Sequence, residues 1–145
     1  MITRNCAGGV VFSEESVFIL QNDKKEWVLP KGKITKNELS AKTAIDKVEY
    51  EAGVTAEIVS NAGETAYEFY SVTRNSPVCN KITWYIMEAE DKTYIINKEE
   101  GFLNGGYFPV EEAIDKITYS QDKSLVALAY KRYLEFKEFR ENKGN

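Results

Sequence analysis

Residues 32–54 read GKITKNELSAKTAIDKVEYEAGV, and this stretch decides the fold. Its apolar residues recur at helical spacing, which predicts an amphipathic helix over residues 39–52. Asn37 is the predicted N-cap, and Gly53 is the predicted stop after the last turn. The apolar stripe consists of Leu39, Ala41, Ala44, Ile45, Val48 and Ala52. We expect Leu39, Ile45 and Val48 to be buried.

Short apolar runs bounded by turn residues flank this helix and predict strands. The predicted strands are Cys6–Phe12, Val17–Leu20, Trp27–Leu29, Val54–Ser60, Thr65–Val72, Lys81–Glu88 and Tyr107–Pro109. The predicted loops are Lys31–Asn37, Arg74–Asn80 and Gly101–Gly106, and Lys92–Ile96 fits a strand and a loop equally well. This order predicts an α/β fold, a mixed β-sheet sandwiched between helices, as a single domain over residues 1–145.

Two helices are predicted in the last third of the chain. The first is Val110–Lys116, and the second is a terminal helix over about residues 123–141. The residues expected on the buried side of the terminal helix are Leu125, Leu128, Ala129, Phe136 and Phe139. The tail Asn142–Asn145 is expected to fray.

Composition excludes several classes of protein. The chain has 145 residues, of which 43% are hydrophobic and 29% charged, the balance of a globular domain. The net charge of −4 argues against binding along a nucleic-acid backbone, which needs a basic face. The absence of histidine excludes histidine-based triads and histidine-ligated zinc. No signal peptide or membrane-length apolar run is visible, so we expect a cytoplasmic protein with no membrane partner.

Four sequence elements carry a family resemblance. They are Gly8-Gly-Val-Val-Phe12, Trp27-Val-Leu-Pro-Lys-Gly32, Glu38 and Glu51-Ala-Gly53-Val54. Together they resemble the Nudix family, whose signature is Gly, five residues, Glu, seven residues, then Arg-Glu-aliphatic-x-Glu-Glu-x-Gly-aliphatic. The element ending at Gly32 resembles the dinucleoside polyphosphate and diphosphoinositol polyphosphate hydrolase branch. The resemblance continues through Tyr107-Phe-Pro-Val-Glu-Glu-Ala113 and spans about residues 4–136, with the signature segment at 32–54.

The signature helix departs from the family pattern at three positions. The family's Arg falls on Asp46, and two of its three helix glutamates fall on Lys47 and Tyr50. In the family those glutamates bind divalent metal. The resemblance therefore implies Glu51 as metal ligand and catalytic residue, Glu38 as a second catalytic residue, and Mg²⁺ as the cofactor if the chain is active, or none if it is silent.

Replacing carboxylates with Lys47 and Tyr50 weakens any Mg²⁺ site, because Mg²⁺ takes hard oxygen ligands and lysine offers only donors. Lys47 lies four residues before Glu51, so the two can pair on one helical face and the ammonium can stand in place of a metal. Asp46 and Glu49 point away from Glu51 around the helix. Glu99 or Glu100, where several relatives carry an extra carboxylate, is a candidate for an additional metal ligand.

The expected ligand is a phosphate-containing small molecule, and the substrate-binding candidates are Lys31, Lys33, Lys47, Arg4 and Lys81. Two functions follow. The first is a phosphoanhydride hydrolase with weakened catalysis, acting on a nucleoside diphosphate linked to another group. The alternative is a catalytically silent domain that binds or senses a nucleotide or polyphosphate. A third reading, an interaction module on the same scaffold, predicts no phosphate ligand. The sequence does not indicate the oligomeric state.

Overall fold

A computed structural model describes residues 1–143 as a curled, mixed seven-stranded sheet with helices on both faces. The strands are β1 (Ile2–Ser13), β2 (Ser16–Gln21), β3 (Trp27–Val28), β4 (Lys31–Lys33), β5 (Ala56–Ser71), β6 (Ser76–Ala89) and β7 (Asn104–Pro109). The helices are α1 (Ser40–Ala52), α2 (Val110–Lys116) and α3 (Ser120–Lys143), with a 3-10 turn at Lys98–Glu100. The α/β sandwich predicted from the sequence is confirmed. No helix of residues 1–143 is long and apolar enough to cross a membrane.

Strand β1 organises the sheet, whose order is β3-β2-β1-β6-β5. It runs parallel to β6 over Ile2–Phe12 and antiparallel to its other partners. At its C-terminal end β1 pairs with β2, whereas at Cys6–Gly8 it pairs with β4 on the same edge. This edge therefore forks, and β4 branches from the sheet directly beneath α1.

Alternation along β1 divides the core into two clusters on opposite faces of the sheet. Cys6, Val10 and Phe12 face α2 and α3. Ala7 and Val11 face α1. Both helical layers thus pack on side chains of one strand. A one-residue register shift in β1 would turn the side chains that face α1 toward α2 and α3, and the reverse.

Helix α1 buries a narrower face than its sequence predicts. Val48 is buried as expected, but Leu39 is 76% exposed and Ile45 is 37% exposed, so both of those burial predictions are wrong. The helix packs on the sheet through Ala44, Val48 and Ala52, which recur at four-residue spacing, and through Thr43 beside the first of them.

The start of α1 also differs from the prediction, whereas its end agrees. The N-cap is Leu39, which has no side chain able to cap, and the predicted cap Asn37 lies before it at φ 69°. The Glu38 carboxylate accepts hydrogen bonds from the hydroxyls of Thr35 and Thr43, which join the preceding loop to the first turn of the helix. Gly53 ends the helix in the left-handed region, as predicted.

Strands extend further than the sequence indicates. The two strands predicted at Val54–Ser60 and Thr65–Val72 are one continuous strand, β5, with irregularities at Ile58/Ser60 and Asn61/Gly63. Three predicted loops are partly strand, because β4, β6 and β7 begin inside them at Lys31, Ser76 and Asn104. Backbone pairing overrides local glycine and proline signals there. The ambiguous Lys92–Ile96 forms no regular element.

Helix α3 is longer than predicted and turns a different face inward. Leu125 and Ala129 are buried and Phe136 packs against the core, but Leu128 (47% exposed) and Phe139 (65% exposed) face outward. Tyr133, not expected in the core, stacks on Phe12. The expected fraying of Asn142–Asn145 is not seen at 142–143, which are helical, and positions 144–145 lie outside the described residues.

Gly53 and Gly63 form a matched pair for testing the end of α1. Both have positive φ, 64° and 105°, but a Cβ on Gly53 would lie 2.8 Å from Ile95 N, whereas a Cβ on Gly63 meets nothing within 4 Å. We expect Gly53→Ala to lower the free energy of unfolding by about 2–3 kcal/mol and Gly63→Ala by about 1 kcal/mol. Equal losses in chemical denaturation would show that Ile95 does not constrain this turn.

Candidate functional site

Glu51 lies in the last turn of α1, with its carboxyl against β4. The backbone N–H of Lys31 donates a hydrogen bond to Glu51 Oε1 at 3.0 Å. Burial raises the pKa of Glu51 to about 7, although this hydrogen bond and the charges of Lys31 and Lys47 act in the opposite direction. Glu51 therefore changes its protonation state near neutral pH.

Lys47 lies along the backbone of Gly32. A Cβ on Gly32 would fall 2.5–2.7 Å from the Lys47 side-chain carbons, so the glycine leaves the space that the lysine stem occupies. The ammonium Nζ stands 5.3 Å from the centre of the Tyr50 ring. The predicted Lys47–Glu51 ion pair is absent from the described residues. The ion pair does not form because the Lys47 stem follows the backbone of Gly32 and brings the ammonium to the Tyr50 ring.

Tyr50 is tied to the loop that carries the additional carboxylates. Its hydroxyl donates a hydrogen bond to Glu100 Oε1, and the Asn97 side chain donates to the Tyr50 carbonyl at 3.1 Å. The backbone N–H groups of Ile95 and Asn97 donate to the carbonyls of Ala52 and Glu51. The loop is thus held against the end of α1, with Glu100 engaged by Tyr50.

The other predicted carboxylates lie away from Glu51. Asp46 forms an exposed ion pair with Lys42 at 2.6 Å. The hydroxyls of Thr43 and Thr35 lower the pKa of Glu38 and hold it at the start of α1, at the opposite end of the helix from Glu51. Glu99 is exposed beside Glu100 in the 3-10 turn.

Three of the predicted substrate-binding cations gather around Cys6, on the face of the sheet that carries α2 and α3. Arg4 lies two residues before Cys6, and Lys33 and Lys31 pair with Cys6 and Gly8. Burial raises the pKa of the Cys6 thiol, and the charges of Arg4, Lys31 and Lys33 oppose that rise. Lys81 faces the opposite side and pairs with Glu64 at 3.5 Å, apart from this cluster.

A family model described as NUDIX domain matches residues 2–128 of the chain. The chain belongs to the Nudix family.

Solved structures of the same fold resemble this Nudix chain. An Ap4A hydrolase binary complex from C. elegans is 18% identical, with a TM-score of 0.72, covering 91% of this chain and 98% of that one. The E. coli dihydroneopterin triphosphate pyrophosphohydrolase is 12% identical, with a TM-score of 0.66, covering 87% and 95%. A mutator MutT protein from Bacillus halodurans is 18% identical, with a TM-score of 0.64, covering 86% and 80%. At these identities the likeness concerns the fold.

Nudix hydrolases generally use divalent metal ions, but the donors of this Nudix chain do not fit such an ion. Within residues 1–143, no group of three Asp, Glu, Cys or His side chains could hold a metal. One oxygen of Glu51 accepts the Lys31 amide hydrogen, and Glu100 accepts from Tyr50. A Mg²⁺ ion needs several hard oxygen ligands in near-octahedral geometry.

Asn80 lies beside the cation cluster and is not among the residues singled out from the sequence. Asn80 pairs in register with Arg4 across β6 and β1 and with Tyr67 across β5, so all three side chains lie on the face of the cation cluster. A signal existed in the sequence. Asn80 takes an inward position in the alternating series Val78, Asn80, Ile82, Trp84, where its neighbours are buried and apolar. Assigning residues 74–80 to a loop concealed this alternation.

Titration of Glu51 makes the stability of the fold depend on pH. Because its folded pKa of about 7 lies above the ordinary glutamate pKa of 4.5, the folded state binds more protons between these values, so stability falls as pH rises through this window. We expect Glu51→Gln to be more stable than the native chain at pH 8 by up to about 3 kcal/mol, with the difference gone near pH 4.

Chemical denaturation across this pH range measures the effect of Glu51→Gln. Glu49→Gln is the matched control, because Glu49 is exposed on the same helix. A stability difference for Glu51→Gln that does not change with pH would contradict the buried, titrating carboxyl.

Proposed function

We propose that this Nudix domain binds a phosphate-containing small molecule, a nucleoside diphosphate linked to another group, through its own cations and hydrolyses it at most weakly. The observation that carries the proposal is that β4 separates an isolated carboxylate, Glu51, from a group of three cations. On one side Glu51 lacks the partner carboxylates of a metal site. On the other side Arg4, Lys31 and Lys33 form a compact cationic cluster.

The cluster is suited to an anion because its members are not engaged in ion pairs. Within the described part of the chain, none of Arg4, Lys31 and Lys33 forms an ion pair. Three cations on adjacent strands create a positive potential, and charge-assisted hydrogen bonds to phosphate are stronger than neutral ones. The binding energy that relatives obtain partly through a metal would here come from the protein's own side chains.

Weak catalysis follows from the residues beside Glu51. Losing the Lewis acidity of one metal is worth several kcal/mol, on the order of a thousandfold in rate or more. Lys47 supplies a cation near Glu51, but an ammonium cannot accept a proton from a water molecule. The expected turnover is therefore far below the roughly 1–10³ s⁻¹ common for enzymes.

A second candidate is favoured by the environment of Glu51 itself. A buried carboxyl with a pKa of about 7 matches the requirement for a general base at neutral pH. A slow phosphoanhydride hydrolase using Glu51 as base, with Mg²⁺ brought in by the substrate, is consistent with this. Its activity would disappear in Glu51→Gln, whereas binding would remain. The cytoplasmic location and the absence of nucleic-acid and membrane partners stay predictions.

Calorimetric titration with a diadenosine polyphosphate and with a nucleotide sugar, in Mg²⁺ and in EDTA, tests the proposal. We expect affinity for at least one ligand to be nearly equal in the two buffers. Lys31→Ala and Lys33→Ala should each weaken it about tenfold, the effect of losing one charge-assisted contact. Lys36→Ala, in the same segment but outside the cluster, and Lys81→Ala, on the other face, are matched controls that should change it less than about twofold.

Binding that requires Mg²⁺, or that is insensitive to Lys31 and Lys33, would contradict this mode of recognition. Absence of any phosphate ligand would favour the interaction module. Robust turnover that vanishes in Glu51→Gln would favour the hydrolase.

Restoring carboxylates provides a gain-of-function test. The double change Lys47→Glu with Tyr50→Glu places two acidic side chains beside Glu51 and also removes the hydroxyl that engages Glu100. We expect it to create Mg²⁺ affinity, measurable by calorimetry without nucleotide, that the native chain lacks. The single change Lys47→Glu, which leaves Tyr50 on Glu100, should gain less. Tight Mg²⁺ binding by the native chain would contradict the account.

A further inference from the structure

Two neighbouring residues on the face that carries the cation cluster each have a buried polar atom without a partner. Arg4 Nε and Asn80 Oδ1 are buried and have no hydrogen-bond partner among residues 1–143. Arg4 and Asn80 are register partners on the parallel strands β1 and β6, so their side chains leave the sheet on the same face. Burying such atoms unpaired is costly, and each instance calls for an explanation.

The surroundings of Asn80 make the unpaired amide end unusual. Asn80 is 7% exposed, and Val78 and Ile82, its neighbours on the same face of β6, are fully buried. Its Nδ2 donates to the Tyr67 hydroxyl at 2.7 Å, so one end of the amide is fixed by the protein. Tyr67 lies across β5 from Asn80, whereas Arg4 lies across β1 on its other side, so the bond to Tyr67 occupies only one end of the amide.

We propose that Asn80 and Arg4 are specificity-determining residues that read the hydrogen-bonding edge of a nucleobase in the bound ligand. The inference rests on the proposed function and deepens it, because it selects a nucleotide over other phosphate-bearing molecules. Arg4 Nε–H offers a donor and Asn80 Oδ1 an acceptor, from adjacent strands about 4.8 Å apart. A base edge presents an acceptor beside a donor in one plane, which satisfies both atoms at once.

Aromatic side chains supply a surface for a flat ring at the same place. Tyr67 and Phe69 lie two residues apart on the same face of β5, with ring centroids 6.1 Å apart, and both are partly exposed. A base that contacts Asn80 would lie near the ring whose hydroxyl Asn80 holds. Stacking on that ring would add affinity without selecting one base over another.

The cation cluster places the phosphates of the same ligand. Arg4 is both one of the two residues with an unpartnered atom and one of the charges around Cys6. The other two charges, Lys31 and Lys33, lie on β4, which pairs with the opposite edge of β1 from β6 and Asn80. The ligand would therefore extend from β6, where the base is read, across β1 to β4. Its phosphates would end beside the strand whose amide binds Glu51.

Calorimetry in EDTA on the full chain tests the inference with two kinds of probe. Pyrophosphate reports the phosphate contacts alone, and the four common nucleoside diphosphates add a base. We expect at least one nucleoside diphosphate to bind about tenfold or more tightly than pyrophosphate. Asn80→Leu should weaken that nucleotide about tenfold and leave pyrophosphate within about twofold, because it leaves the base edge without its acceptor.

Two further variants separate reading of the ligand from support of the fold. Tyr67→Phe removes the protein partner of Asn80 but keeps the ring, so it should reduce nucleotide affinity less than Asn80→Leu does. Arg4→Lys keeps the charge but loses Nε. Because Arg4 also belongs to the phosphate-binding cluster, we expect it to weaken both probes, with nucleotide affinity falling several-fold more than pyrophosphate affinity. Arg4→Lys also preserves the test if Asn80→Leu does not fold.

The outcomes distinguish this inference from the function on which it rests. Equal affinities for pyrophosphate and all nucleoside diphosphates would overturn base reading and leave cation-based phosphate binding intact. Equal weakening of both probes by Asn80→Leu would show that the amide contacts phosphate, and would also overturn it. A Tyr67→Phe effect as large as that of Asn80→Leu would assign Asn80 a structural role only. If neither probe binds the native chain, both proposals fail.

Discussion

The hydrogen bond from the Lys31 amide to the Glu51 carboxyl joins the two halves of the site. It ties the last turn of α1 to β4, the short strand that branches from β1 at the fork in the sheet. Because the contact uses the backbone of Lys31, its side chain stays free to join Arg4 and Lys33 on the other face. One short strand thus separates a buried carboxyl from a cationic surface.

The residues around Glu51 contact one another, and these contacts leave little room for a metal. Gly32 makes space for the Lys47 stem, the Lys47 ammonium lies over the Tyr50 ring, and the Tyr50 hydroxyl engages Glu100. Each contact is individually modest, since the ion–ring contact and the tyrosine–carboxylate bond are exposed. Together they hold a cation and a hydroxyl donor on the last turns of α1, near Glu51. We interpret this arrangement as a binding site that supplies its own positive charge.

Much of the fold follows from the sequence, because the helical stripe and the spacing from Gly32 to Val54 constrain it strongly. The predictions failed where tertiary packing decides between adjacent positions. Ile45 and Val48 both fit an apolar stripe, yet only a face of small residues fits against the sheet, so Ile45 stays partly exposed. The position of Glu51 was predictable, but the direction of Lys47 was not, because it depends on the missing side chain at Gly32. Asn80 was missed because its strand begins four residues earlier, in a stretch whose Asn-Ser-Pro indicated a loop.

The central claim is that the protein's own cations, and not a protein-bound metal, hold the phosphates. Crystals grown with a nucleoside diphosphate and Mn²⁺, measured at the manganese absorption edge, test it most directly. The account predicts phosphate density in contact with Arg4, Lys31 and Lys33 and no anomalous peak coordinated by Glu51. An anomalous peak bound by Glu51 together with Glu100, with Tyr50 displaced, would contradict it.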